Sequence, residues 1–119
     1  SKKIRNSLIE GCVKLGFKYH AGGTVITIEG PRFSTKAESN MFRTWGGDII
    51  NMSTVPEVVL SRELDMEYQA MAMSTDYDCW KEGGEEVTMK MIYDVMEKNV
   101  VNVKKLIEHV IPIIYKQNN

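Results

Sequence analysis

The run Val25-Ile26-Thr27-Ile28 is β-branched at every position and restricts the fold more than any other feature of the chain. Such side chains lose rotamer freedom in a helix and pack well on a pleated surface. The run has no polar–apolar alternation, so it reads as a strand buried on both faces, as in a parallel sheet covered by helices. Gly30-Pro31 breaks it. Thr35-Lys36-Ala37-Glu38 is then a capping box, with Thr35 at the N-cap and Glu38 reaching back. Ala37, Met41, Phe42 and Trp45 give that helix an apolar face, and Gly46-Gly47 ends it. Asp48-Ile49-Ile50-Asn51-Met52 reads as the next strand. Thr54-Val55-Pro56-Glu57 reads as a second capping box, with Pro56 tolerated in the first turn. Val58, Val59 and Leu60 carry this helix toward Leu64.

The flanking segments extend the alternation. Ser1 reads as the cap of a helix with apolar positions Ile4, Leu8, Cys12 and Val13, stopped by Gly16. Residues 17–21 read as extended, and residues 68–74 as a buried strand. A long last helix shows Met91, Ile92, Val95, Met96, Val103, Leu106, Ile107 and Val110 at helical spacing. Pro112 should end or kink it. Strands alternating with helices predict the α/β class: a layered αβα domain around a mixed central sheet.

At 119 residues the chain is read as one domain. Lys and Arg number 15 against 16 Asp and Glu. This balance offers no basic field for nucleic acid or a membrane surface, so neither is expected as a partner. No apolar run has the length of a membrane span, and no secretory leader is visible. Cys12 and Cys79 are far apart and form no metal-ligand spacing, so they read as reduced thiols of a cytoplasmic protein.

Three strand-to-helix junctions hold the residues that can do chemistry: 30–35, 51–54 and 75–84. Ligands of open α/β sheets bind beyond the carboxyl ends of strands, so the three are expected to meet. The third carries Thr75-Asp76-Tyr77-Asp78. In extended chain, alternate residues point the same way, so Asp76 and Asp78 would face one ligand. Paired carboxyls can protonate a leaving group and hold an amine. The same residues also read as loop caps or solvated charges. Ser53 stands at a helix N-terminus, where N–H groups and the dipole favour an anion; capping or plain exposure reads as well. Phe33 and Ser34 offer a ring to stack on a planar base and a hydroxyl to bond its edge. By itself Phe33 reads more readily as a core residue, and Arg32 as a structural or solvated charge. No His stands beside Cys79 to activate it as a nucleophile.

Gly30-Pro31-x-Phe33 and Asn51-Met52-Ser53-Thr54-Val55-Pro56-Glu57 resemble two signature segments of the trimeric purine nucleoside phosphorylase family. Ser34 after the phenylalanine, and Thr75-Asp76-Tyr77-Asp78, place the resemblance with the members that cleave S-methyl-5′-thioadenosine rather than 6-oxopurine nucleosides. The resemblance implies phosphorolysis to adenine and 5-methylthioribose 1-phosphate, with inorganic phosphate as co-substrate and no cofactor or metal. It implies that Asp76 protonates N7 of the base and that Asp78 holds the exocyclic amine. Phe33 and Ser34 would contact the base, Met52 the ribose and Ser53 the phosphate. Met89 and Ile92 would line the methylthio pocket. It further implies a homotrimer in the cytoplasm, and also in the nucleus. Family members are more than twice as long, so residues 1–119 are expected to be the C-terminal part of a single phosphorylase domain. An N-terminal half would then be a partner, and the chain alone would be inactive. A non-catalytic purine-binding module and a water-using nucleosidase are the other readings.

Overall fold

In the computed structural model, which describes residues 1–83 and 88–117, Ser1 caps helix α1 (Lys2–Leu15). Its hydroxyl accepts from the Ile4 N–H at 3.2 Å. Gly16 stops α1 with φ 70°, a conformation that a Cβ disfavours. Val25–Thr27 forms strand β1 and Ile49–Asn51 forms β2. The two pair in parallel, Val25 with Ile49, Ile26 with Ile50 and Thr27 with Asn51. The Ile28 N–H continues the pairing to the Asn51 carbonyl at 2.9 Å. Helix α2 (Lys36–Thr44) is the crossover that a parallel pair requires. Helix α3 (Thr54–Glu63) follows β2, and α4 (Met89–Gln117) follows the acid loop.

The first capping box forms as the sequence predicts. Thr35 Oγ1 accepts from the Glu38 N–H at 3.2 Å, and Glu38 Oε2 accepts from the Thr35 N–H at 2.7 Å. Arg32 adds two bonds to the same carboxylate, at 2.8 and 2.6 Å. That guanidinium first, and the cap bonds second, hold the Glu38 carboxyl well below the usual carboxylate range. The second box forms differently. Ser53, not Thr54, is the N-cap, and its hydroxyl makes no capping bond. Asn51, the last residue of β2, does that work. Its Oδ1 accepts from the Ser53 and Thr54 N–H groups at 3.4 Å, and its amide donates to Thr54 Oγ1. The longer amide side chain reaches the first turn from the strand, so the Thr54 hydroxyl serves as an acceptor instead.

Several expected burials do not occur. Among the described residues β1 and β2 are the only strands, so the sheet is a parallel pair rather than a mixed sheet. Residues 17–21 and 68–74 join no ladder. Side chains hold the second segment. Ser1 Oγ donates to Glu67 at 2.9 Å, Arg5 to Gln69 at 3.3 Å and Tyr68 to Glu57 at 3.2 Å. Asn99 donates to the Ser74 carbonyl at 3.1 Å. Two strands cover little area, and Met41 and Trp45 on the expected inner face of α2 remain exposed. Pro112 does not end α4, which runs on to Gln117.

The core lies between α1 and α4. Cys12, Leu106 and Val110 are buried, with Leu8, Leu15, Phe17 and Ile114 packed around them. The α1 face that meets α4 is rotated from the expected one. Val13 is 64% exposed, while Ser7 and Gly11 are buried. Gly11 permits the close approach. A Cβ there would stand 2.7 Å from Val110 Cγ2 and 2.8 Å from Leu106 Cδ1.

Two predictions follow from these contacts. Gly11→Val gains less than about 1 kcal/mol of helix propensity but overpacks the helix contact at about 1–3 kcal/mol. A net loss of about 2 kcal/mol should lower the urea midpoint; an unchanged midpoint would show that α1 and α4 can move apart freely. Glu38 titrates lower when folded than when unfolded. Its contribution is therefore complete above its unfolded pKa near 4.3 and is lost as pH falls below that. Unfolding midpoints of Glu38→Gln should depend less on pH between about pH 5 and 3 than those of the parent; parallel profiles would mean that the Arg32–Glu38 pair is absent in solution.

Candidate active site

The three junctions do meet, and the first is the hub. Gly30 leaves β1 with φ 71°, and a Cβ there would stand 2.7 Å from Met52 Sδ, so the turn lies directly against the second junction. Ser34 Oγ donates to Asp78 Oδ2 at 3.4 Å, and the Cys79 thiol donates to the Ser34 carbonyl at 3.4 Å. These bonds join the first junction to the acid loop. Ile28, Glu29, Gly30, Arg32, Ser34 and Glu38 border an open cleft of about 350 Å³ at the hub. A second hollow of about 390 Å³ lies on α3 between Val58, Val59, Arg62 and Glu63. Of the candidate residues, Ser34 alone borders the first hollow, and none borders the second.

The two acids are held differently. Asp78 is half-buried, and both of its oxygens are engaged: Oδ2 by Ser34, Oδ1 by the Cys79 N–H at 2.8 Å. Asp76 is exposed and accepts from the Thr75 hydroxyl at 2.5 Å. It lies at a bend, so the pair is not presented by regular extended chain as the spacing predicts. Asp78 is thus held at both oxygens, whereas Asp76 is exposed to solvent.

The remaining candidates divide by exposure. Phe33 is 84% exposed, so its ring is no part of the core. Met52 is 38% exposed beside Gly30. Ser53 is exposed at the start of α3, and its hydroxyl is not used as a cap. Met89 is 63% exposed as the first residue of α4, and Ile92 is half-buried on the same turn. Burial first, then the charge of Asp78, pushes the Cys79 thiol up, which disfavours the thiolate nucleophile. Arg32 has the structural role its position suggested, paired with Glu38. The described residues hold no cluster of three potential metal ligands, and no helix among them is long and apolar enough to cross a membrane. Part of the acid loop, residues 84–87, lies outside the described residues, including Gly84.

The sequence reading missed the residues that anchor the acid loop. Lys36 pairs with Glu82, the fully buried Ser39 lies beside the Cys79 thiol, and the Arg43 guanidinium stacks on Trp80. Among the described residues Ser39 Oγ has no partner at ordinary hydrogen-bond geometry, though its proximity opposes the rise of the thiol. Lys36, Ser39 and Arg43 stand at i, i+3 and i+7, one polar stripe along α2. That periodicity was visible in the sequence, but the apolar stripe of the same helix masked it.

Residues 1–112 match the profile of the phosphorylase superfamily. The chain is 51% identical over 117 residues to S-methyl-5′-thioadenosine phosphorylase of Ciona intestinalis, covering 98% of this chain and 42% of that protein. It is 53% identical over 110 residues to the Anopheles gambiae protein of the same name, covering 92% of this chain and 40% of that protein. Among solved structures, methylthioadenosine phosphorylase from Schistosoma mansoni in complex with adenine superposes with a TM-score of 0.86 at 35% identity. That match covers 96% of this chain and 46% of the other. A mutant of the enzyme from the same organism, in complex with methylthioadenosine, gives 0.85 at 34% identity over 97% of this chain and 44% of the other. The chain thus spans less than half the length of the relatives it matches. With a family profile matched from Ser1 to Pro112 and the strand-end junctions gathered as described, the chain belongs to the phosphorylase superfamily.

Proposed function

We propose that these residues form the purine-recognising part of an S-methyl-5′-thioadenosine phosphorylase. The observation that carries the reading is the bond between Ser34 and Asp78, which brings a hydroxyl and a carboxylate together next in sequence to the exposed Phe33. The identity of about half to relatives of that name supports it. The substrate would be 5′-methylthioadenosine, and inorganic phosphate the co-substrate, with no metal or organic cofactor. The working enzyme would be a homotrimer of longer chains in the cytoplasm and nucleus, serving purine and methionine salvage.

In this reading a phosphate oxygen attacks C1′ of the sugar while the C1′–N9 bond breaks. The bonding electrons move to the base, where Asp76 delivers a proton to N7. Protonation and a fixed anion beside an oxocarbenium-like sugar both lower the barrier. Asp78, with Ser34 on one oxygen and the Cys79 N–H on the other, accepts from the exocyclic amine of adenine. Phe33 packs on the base, and Met52 lies under the ribose. Ser53 donates its uncommitted hydroxyl to phosphate at the positive end of α3. Met89 and Ile92 line the pocket for the methylthio group.

The direct test is phosphate-dependent release of adenine from 5′-methylthioadenosine by the full-length protein. Release without phosphate would identify a hydrolase, and binding without release a non-catalytic module. Asp76→Ala should lower kcat by roughly 100-fold or more, the scale of a lost general acid, with little change in phosphate affinity. Ser53→Ala should mainly raise the KM for phosphate. Near-normal turnover in Asp76→Ala would make Asp76 structural and remove the proposed acid.

Specificity gives a separate test. The 6-amino nucleoside should be cleaved far better than its 6-oxo counterpart. Asp78→Asn should narrow that ratio, because an amide can donate to a 6-oxo group as well as accept from an amine. A parent enzyme that cleaves inosine with comparable kcat/KM would contradict the role given to Asp78.

A further inference from the structure

The acid loop is anchored to α2, and the anchoring has an order. The Arg43 guanidinium carbon stands 3.9 Å from the centroid of the Trp80 ring. Trp80 meets Tyr77 edge to face, with centroids 6.0 Å apart at 89°. Lys81 closes the other side, its Nζ 3.5 Å from the Tyr77 ring centroid. Tyr77 is the residue between Asp76 and Asp78. Whatever fixes its ring therefore fixes the backbone on which both acids stand. The N-terminal end of the same helix carries Lys36, paired with Glu82, and the cap that follows Ser34. Helix α2 thus connects Ser34 and the acid loop as one rigid element.

We infer that Arg43 and Trp80 are positioning residues for purine selection: their stack, through Tyr77, sets Asp78 against Ser34. The inference rests on the function proposed above. An indole is the best of the aromatic faces for a cation, and the planar guanidinium also stacks on it, which an ammonium cannot reproduce. Neither side chain needs to touch the substrate. Loosening the stack should let Asp78 drift from its place opposite the exocyclic amine, while phosphate binding at the start of α3 is untouched.

The test is the ratio of kcat/KM for 5′-methylthioadenosine over 5′-methylthioinosine in the full-length protein. Arg43→Met should lower that ratio by about tenfold, between the two- to fivefold of a lost exposed cation–π contact and the ~100-fold of an active-site misplacement. The KM for phosphate should stay within about twofold, because α3 does not take part. Trp80→Leu breaks the same stack from the loop side and should give the same split. Trp80→Phe keeps a ring under the guanidinium and should restore most of the ratio, which a general loss of stability would not do. An unchanged ratio in both Arg43→Met and Trp80→Leu overturns the positioning role while leaving the function intact. A parent protein with no phosphate-dependent adenine release overturns the function and this inference with it.

Discussion

The parallel pairing of β1 and β2 is the constraint on which the site depends. It is short, three residues on each strand, yet it brings the carboxyl ends of both strands to one edge. From that edge the chain leaves β1 through Gly30 and leaves β2 through Asn51, so the two turns lie side by side. Asn51 also spends its side chain across the junction. It accepts from the Thr27 hydroxyl at 3.0 Å and from the first N–H groups of α3. One residue therefore ties strand, neighbouring strand and helix start together. Because it does the capping, the Ser53 hydroxyl remains available at the positive end of a helix.

The acid loop reaches this edge by a different route. No ladder carries it there. The segment before it, residues 68–74, is held by side chains of α1, α3 and α4, and the loop itself is fastened to α2. Side-chain anchoring of this kind leaves the local geometry to a few contacts, not to the regular repeat of a sheet. The two acids consequently have unlike surroundings although they are two residues apart. Asp78 is enclosed by a hydroxyl and an N–H, and Asp76 faces solvent. Under the proposed function these unlike settings would serve two distinct tasks, recognition and proton delivery.

The exposed apolar side chains mark how small a sheet this chain builds by itself. Trp45, Leu60, Leu64 and Met66 all remain more than half exposed. A pair of three-residue strands has no area to cover α2 and α3 on both sides. The buried contact of the chain is instead the α1–α4 seam, where Gly11 lets two helices close on Val110 and Leu106.

Local chemistry was legible in the residues themselves. Ser1 and Thr35 capped their helices, Gly16 stopped α1, and the β-branched run at Val25 formed a strand, because each of these depends on neighbours within a few positions. The signature segments and the Asp-x-Asp pair likewise pointed to the family that the comparisons establish. Four outcomes were decided by tertiary structure alone. Asn51 displaced Thr54 as the cap because a strand end stood within reach of the helix start. The face of α1 was set by where α4 lay, not by the hydrophobicity of Val13. Residues 68–74 carried a strand composition yet joined no ladder, since a strand exists only beside a partner for its N–H and C=O groups. The meeting of Ser34 with Asp78, and of Arg43 with Trp80, joins residues more than thirty positions apart. A sequence states which side chains are available for such contacts; only the path of the backbone through space decides which of them touch.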